Sequence, residues 1–348
     1  MNRRLNFMEI GAGIGVGTQA CLITAGCSNV NIVGCIDNEY KNDGCMYAYN
    51  YFHKTNFVKS DIITLDFSTI CDNIDLVTIS FPSNTFSNKN YKRPMLENFI
   101  LRNYNMPMGV YKFVELKKPK CFTIDYTLQQ SKAQQIDNIL DYLDSLQDLG
   151  YDIKIDEYNA KNFNTPQDRT RLCIVGFLKC LNLVDKFEFP KGVETRKTIN
   201  DILLDKVDDK YYLTDKQIEK VKLARSKDGG RLYYENGYYE DIKHTSATNI
   251  FIENNKTLMR TITANYGYNR GYSPIIRDKT GKWRLLTPLE IFRCMGLVDG
   301  YYYCLREAGF DDEELYRLAG NSMIGSYWKE LMECIFKLSE FRFWEMVA

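Results

Sequence analysis

An α/β fold is predicted: a doubly wound parallel sheet over residues 1–177, followed by a smaller, irregular, strand-rich module. Three observations predict it. Short apolar runs alternate with longer helical stretches up to about residue 177. A glycine-rich loop joins the first such run to the first helix. Beyond residue 177 the texture changes to short charged segments rich in tyrosine pairs, among them Tyr211-Tyr212, Tyr233-Tyr234 and Tyr238-Tyr239.

The predicted strands are residues 6–10, 30–36, 76–80, 121–124 and 172–177, each a short β-branched or aromatic run bounded by turn residues. Residues 18–25 and 133–149 carry the three- and four-residue apolar spacing of helices packed on a sheet, and Gly150 closes the second. Helical spacing returns over 288–295 and again over 315–338. The expected domains are an α/β domain over 1–177, a second domain over 178–286, and a segment over 287–348 that returns to the first.

Composition narrows the function classes. With 348 residues, 45% of them hydrophobic, the chain can bury a sizeable core. No apolar run approaches a membrane span and the start offers no signal-peptide core, so a cytoplasmic or nucleoid-associated protein with no membrane partner is expected. Eleven cysteines without a Cys-x-x-Cys pair, and only His53 and His244, argue against a structural zinc site and leave histidine an unpromising general base. Basic and acidic side chains balance at 45 each, so any attraction to nucleic acid must come from local basic patches.

The loop Gly11-Ala12-Gly13-Ile14-Gly15-Val16-Gly17 lets a ligand approach backbone amides at a helix N-terminus, and a nucleotide is the expected guest. Its glycines alternate, and Val16 stands where a dinucleotide fingerprint needs its third glycine. Asp37, followed by Asn38, ends the second strand, where a carboxylate can accept both ribose hydroxyls. Asp61 follows Ser60 near the expected end of a third strand. Either acid alone fits a loop cap equally well. Together with the loop they suit S-adenosylmethionine, which carries an adenosine and no phosphate.

These residues and those downstream resemble the DNA cytosine-5 methyltransferase family almost from end to end. The family's acid-Leu-Phe-Ala-Gly-x-Gly-Gly is similar to Glu9 through Gly15, with Gly11 in place of the aromatic. Its second acid falls on Asp37, its Gly-Asp-Ile on Ser60-Asp61-Ile62, and its Pro-Cys-Gln-x-Phe-Ser on Pro82-Ser83-Asn84-Thr85-Phe86-Ser87. Pro-Lys followed by Glu-Asn-Val corresponds to Pro119-Lys120 and Asp125-Tyr126-Thr127. Asn159-Ala160 and Pro166-Gln167-Asp168-Arg169-Thr170-Arg171 keep the family pattern, and segment 284–290 with Met295-Gly296 resembles its Leu-Thr-Pro-Arg-Glu region. Gly320-Asn321-Ser322-Met323 is similar to Gly-Asn-Ser-Val, which in the family returns to the cofactor pocket. The resemblance implies a Rossmann-like, S-adenosylmethionine-dependent methyltransferase fold with a smaller, strand-rich target-recognition domain. It implies cofactor contacts from Glu9, Gly11, Ala12, Gly13, Ile14, Gly15, Asp37, Asn38, Asp61, Ile62, Pro82, Asn321 and Ser322.

It also implies a reaction, and the substitutions bear on it. The family adds a cysteine thiolate to C6 of a flipped-out cytosine, making an enamine whose C5 takes the methyl group, while a carboxylic acid at N3 offsets the developing charge. Here Ser83 occupies the nucleophile position. A thiol is a few per cent ionised unassisted, whereas a hydroxyl is protonated and this chain shows no base beside it. Asp125 is one methylene shorter than glutamate, a shortfall of roughly 1.5 Å, and misplacement on the order of 1 Å costs about a hundredfold. Methylation is therefore expected to be absent or very slow. Departure of Gly11, Asn84, Asp125 and Tyr126 together with Ser83 favours natural divergence over an engineered Cys-to-Ser change. Cys121 is a rival nucleophile, but it begins a predicted buried strand and reads as core.

Arg169 and Arg171, alternating along one strand, are expected to point the same way into an active-site cleft and, by the resemblance, to hold the target nucleotide; a solvated strand end is the other reading. Residues from about 178 to 260 stand in the family's target-recognition place. There Lys222, Arg225, Lys227, Arg231, Lys243 and His244 interleave with tyrosines, as a DNA groove or as a solvated face. The expected DNA contacts are Asn84, Ser87, Gln167, Arg169 and Arg231, with double-stranded DNA as partner. Two other readings stand beside a crippled methyltransferase. One is a non-catalytic DNA-binding protein or regulatory subunit supporting a partner methyltransferase or restriction subunit. The other is an amino-group methyltransferase, against which the lack of a Pro-Pro-aromatic stretch at Ser80-Phe81-Pro82-Ser83 argues.

Overall fold

The computed structural model describes residues 3–37, 44–58, 60–82, 105–127, 133–193, 197–218, 232–235, 238–241, 251–252, 258–267 and 274–341. Two compact units emerge. The first comprises Met1–Tyr158, Thr170–Lys191 and Tyr327–Ala348, and the second Asn159–Arg169 and Gly192–Ser326.

The first unit is an α/β structure around a six-stranded sheet. Its strands are β1 (Leu5–Ile10), β2 (Val30–Ile36), β3 (Leu76–Ser80), β4 (Cys121–Tyr126), β5 (Tyr151–Asn159) and β7 (Thr170–Leu178), in the order β2-β1-β3-β4-β7-β5. Strands β2, β1, β3 and β4 run parallel, and β7 lies antiparallel to β4. After β1 the chain goes to one side for β2 and then crosses to the other for β3, so the order reverses between β1 and β3. Ligands of open α/β sheets bind outside the carboxyl ends of the strands at such a switch point. The glycine loop follows β1 and Pro82 follows β3, so both lie at that edge.

Helices α1 (Val16–Ala25), α2 (Gly44–His53), α3 (Asn105–Lys117) and α4 (Ala133–Asp148) connect these strands. β3 and β4 read as near-continuous apolar runs because both faces are covered. Met8, Val77, Ile79, Phe122 and Ile124 of the sheet pack with Val110 and Phe113 of α3 and with Ile139, Leu143 and Leu146 of α4 in one buried cluster. Gly150, at φ 97°, turns the chain out of α4 and into β5, a strand absent from the predicted set. The predicted strand 172–177 is longer on both sides.

In the second unit, β8 (Leu232–Glu235), β9 (Tyr238–Asp241), β10 (Phe251–Ile252), β12 (Ile275–Arg277) and β13 (Trp283–Leu285) form a sheet in the order β13-β12-β10-β9-β8. Strand β6 (Gln167–Asp168) pairs in parallel with β11 (Met259–Arg260). Helices α5 (Pro288–Cys294), α6 (Asp299–Glu307) and α7 (Asp312–Asn321) complete it, and α8 (Gly325–Phe336) leads back into the first unit. The predicted continuous helix over 315–338 is two helices, broken over residues 322–324.

The units divide the chain differently from the expected 1–177, 178–286 and 287–348. Residues 178–191 stay with the sheet, while 287–326 belong to the second unit instead of returning to the first. A buried ion pair gives the reason. Arg284 grips Glu290 with two 2.8 Å hydrogen bonds, and Glu290 also accepts the backbone N–H groups of Leu204 and Thr287. Thr287 and Glu290 form a capping box with Pro288 in the first helical turn. The Leu-Thr-Pro-x-Glu segment is thus a helix start anchored to β13. Among the described residues no helix is long and apolar enough to cross a membrane.

Candidate functional site

The glycine loop explains its own spacing. Gly11, Gly13 and Gly15 all have left-handed backbone, with φ of 66°, 53° and 82°, a region that a side chain disfavours. Between them Ala12 and Ile14 are buried, so the loop offers a ligand its backbone. A Cβ on Gly11 would lie 2.3 Å from the Ser80 carbonyl oxygen, which leaves no room for the aromatic of the family pattern. A Cβ on Gly15 would strike the rings of His53 and Tyr49, whereas one on Gly13 would meet nothing within 4 Å. Open space therefore borders the loop at Gly13.

Helix α1 begins without a capping side chain of its own. Glu9, from β1, supplies one. Its buried carboxylate accepts the N–H groups of Gly17 at 2.9 Å and Thr18 at 3.0 Å and the Thr18 hydroxyl at 2.5 Å, which satisfies donors that a helix start leaves orphaned. The Thr18 hydroxyl is in turn 2.7 Å from that of Tyr49. Burial pushes the Glu9 carboxyl up to about 7, against the opposing pull of these hydrogen bonds. Gly17 lets α1 approach, since a Cβ there would lie 2.7 Å from Thr78 and 2.8 Å from Glu9. From the other side Nε2 of His53 lies 3.1 Å from the Gly15 carbonyl oxygen, and burial lowers this imidazole to about 4, so it is neutral at pH 7.

Asp37, at the end of β2, accepts the Gly13 N–H at 2.7 Å, which brings a carboxylate against the loop. Asp61 is not at a strand end. It opens a turn before β3, where its side chain accepts the Ile63 N–H and its carbonyl those of Thr64 and Leu65. An aspartate caps such a turn by its short reach. Ile62 is buried against α3, where Gly109 makes room for it. Pro82 is exposed just beyond β3. Three αL glycines at the switch point, Asp37 beside Gly13 and open space over that residue fit an adenosine-bearing cofactor.

Asp125, on β4, is wholly buried. Register pairs it with Cys173 of β7, so Arg171, two residues away on the same strand face, can reach it diagonally. Nη1 of Arg171 donates to Oδ2 of Asp125 at 2.8 Å, and the Tyr158 hydroxyl donates to Oδ1 at 3.0 Å. Tyr158 in turn stacks on Tyr327, with ring centroids 3.4 Å apart and planes inclined by 2°. Burial pushes the Asp125 carboxyl up, opposed by Arg171 and Tyr158, and pushes the Tyr158 phenol up as well, so the tyrosine is the donor.

Arg169 and Arg171 do not share a strand. β6 ends at Asp168 and β7 begins at Thr170, so the alternation expected of them is interrupted between the two. In the second unit Arg169 is buried and donates to the carbonyls of Ile262 at 2.8 Å and Gly320 at 3.4 Å. Gln167, expected at DNA, is fully buried. Its amide nitrogen donates to the Cys294 carbonyl at 3.0 Å and contacts the Met295 sulfur, and its oxygen accepts the Ile262 N–H. An amide with donor and acceptor both engaged inside the unit serves its packing. The buried Ser322 hydroxyl donates to Ala319 of its own helix, and Asn321 is exposed at the end of α7. Ser83, Asn84, Ser87, Asn38 and Arg231 lie outside the described residues, as do Lys222, Arg225, Lys227, Lys243 and His244.

His53, Tyr49, Thr18, Tyr158 and Tyr327 were not singled out from the sequence. Only His53 carried a signal, as one of two histidines.

A family profile of C-5 cytosine-specific DNA methylases matches residues 5–337. The chain is 26% identical over 293 residues to the type II methyltransferase M.NlaX of Neisseria lactamica, covering 84% of this chain and 85% of the relative. It is 26% identical over 331 residues to M.SsoII of Shigella sonnei, covering 92% and 77%. Among solved structures, the S. pombe Dnmt2 methyltransferase superposes with a TM-score of 0.67 at 19% identity, covering 96% of this chain and 99% of that one. The Entamoeba histolytica methyltransferase EhMeth gives 0.68 at 16%, covering 96% and 98%.

Proposed function

Since the chain belongs to the C-5 cytosine-specific DNA methylase family, we propose that it binds S-adenosylmethionine at the glycine loop and double-stranded DNA as substrate, with transfer to cytosine C5 lost or very slow. The loop geometry carries the cofactor half of this reading. Three left-handed glycines, each next to a buried residue, stand at the β1/β3 switch point; the middle one, Gly13, borders open space, and Asp37 lies against it. The backbone from Gly11 to Gly15, with Asp37, Asn38, Asp61, Ile62 and Pro82, would hold the nucleoside; the family pattern also assigns Asn321 and Ser322 to the cofactor. Glu9 acts one step back, by fixing the loop and the start of α1. The cofactor, when bound, supplies the sulfonium methyl group.

Ser83 carries the other half. A serine hydroxyl is protonated at neutral pH, which makes it a poor nucleophile toward C6. Family membership and the strand-rich second unit support DNA as the substrate and that unit as the target-recognition part. A second reading, a non-catalytic DNA-binding protein or a regulatory subunit of a restriction-modification type system, keeps the same binding surfaces and drops the transfer.

Calorimetry with S-adenosylhomocysteine tests the cofactor, and incubation with methyl-labelled S-adenosylmethionine and mixed-sequence double-stranded DNA tests transfer. Binding with negligible transfer is expected of the unaltered chain. Robust transfer by it would refute the predicted loss, and absence of binding would refute the assignment of the loop.

A further inference from the structure

Both oxygens of the Asp125 carboxylate are engaged within the first unit. Arg171 takes Oδ2 and the Tyr158 hydroxyl takes Oδ1, and the residue is wholly buried. A carboxyl group that assists addition at C6 must present an O–H to the ring nitrogen, because the electron pair displaced by the new bond arrives there and a proton must meet it. A carboxylate that accepts from a guanidinium on one oxygen and a phenol on the other lacks that proton, and the two donors favour its ionised form. Tyr158 is itself held. Its ring lies flat on Tyr327, a geometry that aligns the hydroxyl and keeps it from rotating away.

We infer that Tyr158 is a positioning residue that locks Asp125 into the service of Arg171, so that this chain carries a second impediment to methyl transfer, independent of Ser83. The inference rests on the cofactor and DNA reading above. It makes Asp125 the anchor of a buried guanidinium and explains why the shorter acid suffices there: a neighbouring strand, not a substrate base, sets the distance it must reach.

The consequence is that restoring the thiol alone does not restore the enzyme. Three variants test this under single-turnover conditions with methyl-labelled S-adenosylmethionine and mixed-sequence double-stranded DNA: Ser83→Cys, Ser83→Cys with Tyr158→Phe, and those two with Asp125→Glu. Tyr158→Phe keeps the stacked ring and removes only the hydroxyl. Transfer by the second variant is expected to exceed that of the first by at least about tenfold, the rate equivalent of one hydrogen bond to a charged group, and the third is expected to be faster again. Thermal stability of the Tyr158→Phe chain is expected to fall as the rate rises. A purely structural tyrosine would lower both. Equal or faster transfer by Ser83→Cys alone would overturn the inference, and so would absence of transfer from the third variant while calorimetry and a gel shift show cofactor and DNA bound. If the unaltered chain binds no S-adenosylhomocysteine, the proposed function itself fails, which the calorimetry distinguishes.

Discussion

Two buried carboxylates at strand ends of one sheet, Glu9 on β1 and Asp125 on β4, have opposite fates. Glu9 accepts from Gly17 and Thr18, so its hydrogen bonds fix the start of α1 at the end of the glycine loop. Asp125 accepts from Arg171 and Tyr158, and its hydrogen bonds tie both carboxylate oxygens into a side-chain cluster. The difference teaches that a buried acid takes its role from the partners that packing brings to it. Backbone N–H groups and a threonine hydroxyl make Glu9 a helix cap, whereas a guanidinium from β7 and a phenol from β5 make Asp125 a counterion.

The largest expected effect breaks the Asp125 side of this comparison. Asp125→Ala leaves Arg171 buried and unpaired, and removal of one partner of a buried ion pair costs about 3–5 kcal/mol; urea denaturation should show a loss of that order. A loss under about 1 kcal/mol would show that the pair is not the anchor described.

The Glu9 side can be sharpened by pH. Glu9 is raised from 4.5 to about 7, so over that interval the folded chain binds more protons than the unfolded one and stability falls as pH rises. His53 is lowered from 6.5 to about 4, so between those values the unfolded chain binds more protons and stability rises with pH. Each is worth on the order of 3 kcal/mol over its interval, and they oppose one another where they overlap. His53→Gln should therefore expose a stability that declines from pH 4.5 to 7, and Glu9→Gln one that climbs from pH 4 to 6.5. Chemical denaturation across pH would reveal the two slopes, and slopes of the same sign would refute the linkage.

The smallest stability effect lies at Gly13. Nothing obstructs a Cβ there, so Gly13→Ala should cost only the left-handed backbone, roughly 1–2 kcal/mol. A methyl group in the open space should nevertheless weaken S-adenosylhomocysteine by about tenfold or more, the factor for 1.4 kcal/mol. Unchanged affinity by calorimetry would move the cofactor away from Gly13.

Much of the first unit was legible in the sequence because its strands are buried apolar runs bounded by turns, a local pattern. Strands 30–36 and 76–80 were read at their observed limits. Strand β5 escaped because its exposed and half-exposed residues, 152–157, break the apolar run. Gln167 and Arg169 read as DNA contacts because polar residues in a motif suggest a ligand. Their actual partners, Ile262, Cys294, Met295 and Gly320, are between 93 and 151 residues away in the chain, a separation that no local pattern encodes.

The sequence by itself determined the family, the glycine loop with its strand and helix, and the serine that follows Pro82, since each depends on residue identity in local order. Only the tertiary structure decided what the polar residues do. It turned Glu9 into the cap of α1, Asp125 into the counterion of Arg171, and Gln167 and Arg169 into internal clamps. The physical reason is that a buried polar group must find partners, and which partners come within about 3 Å is set by strand register and packing across distant segments of the chain.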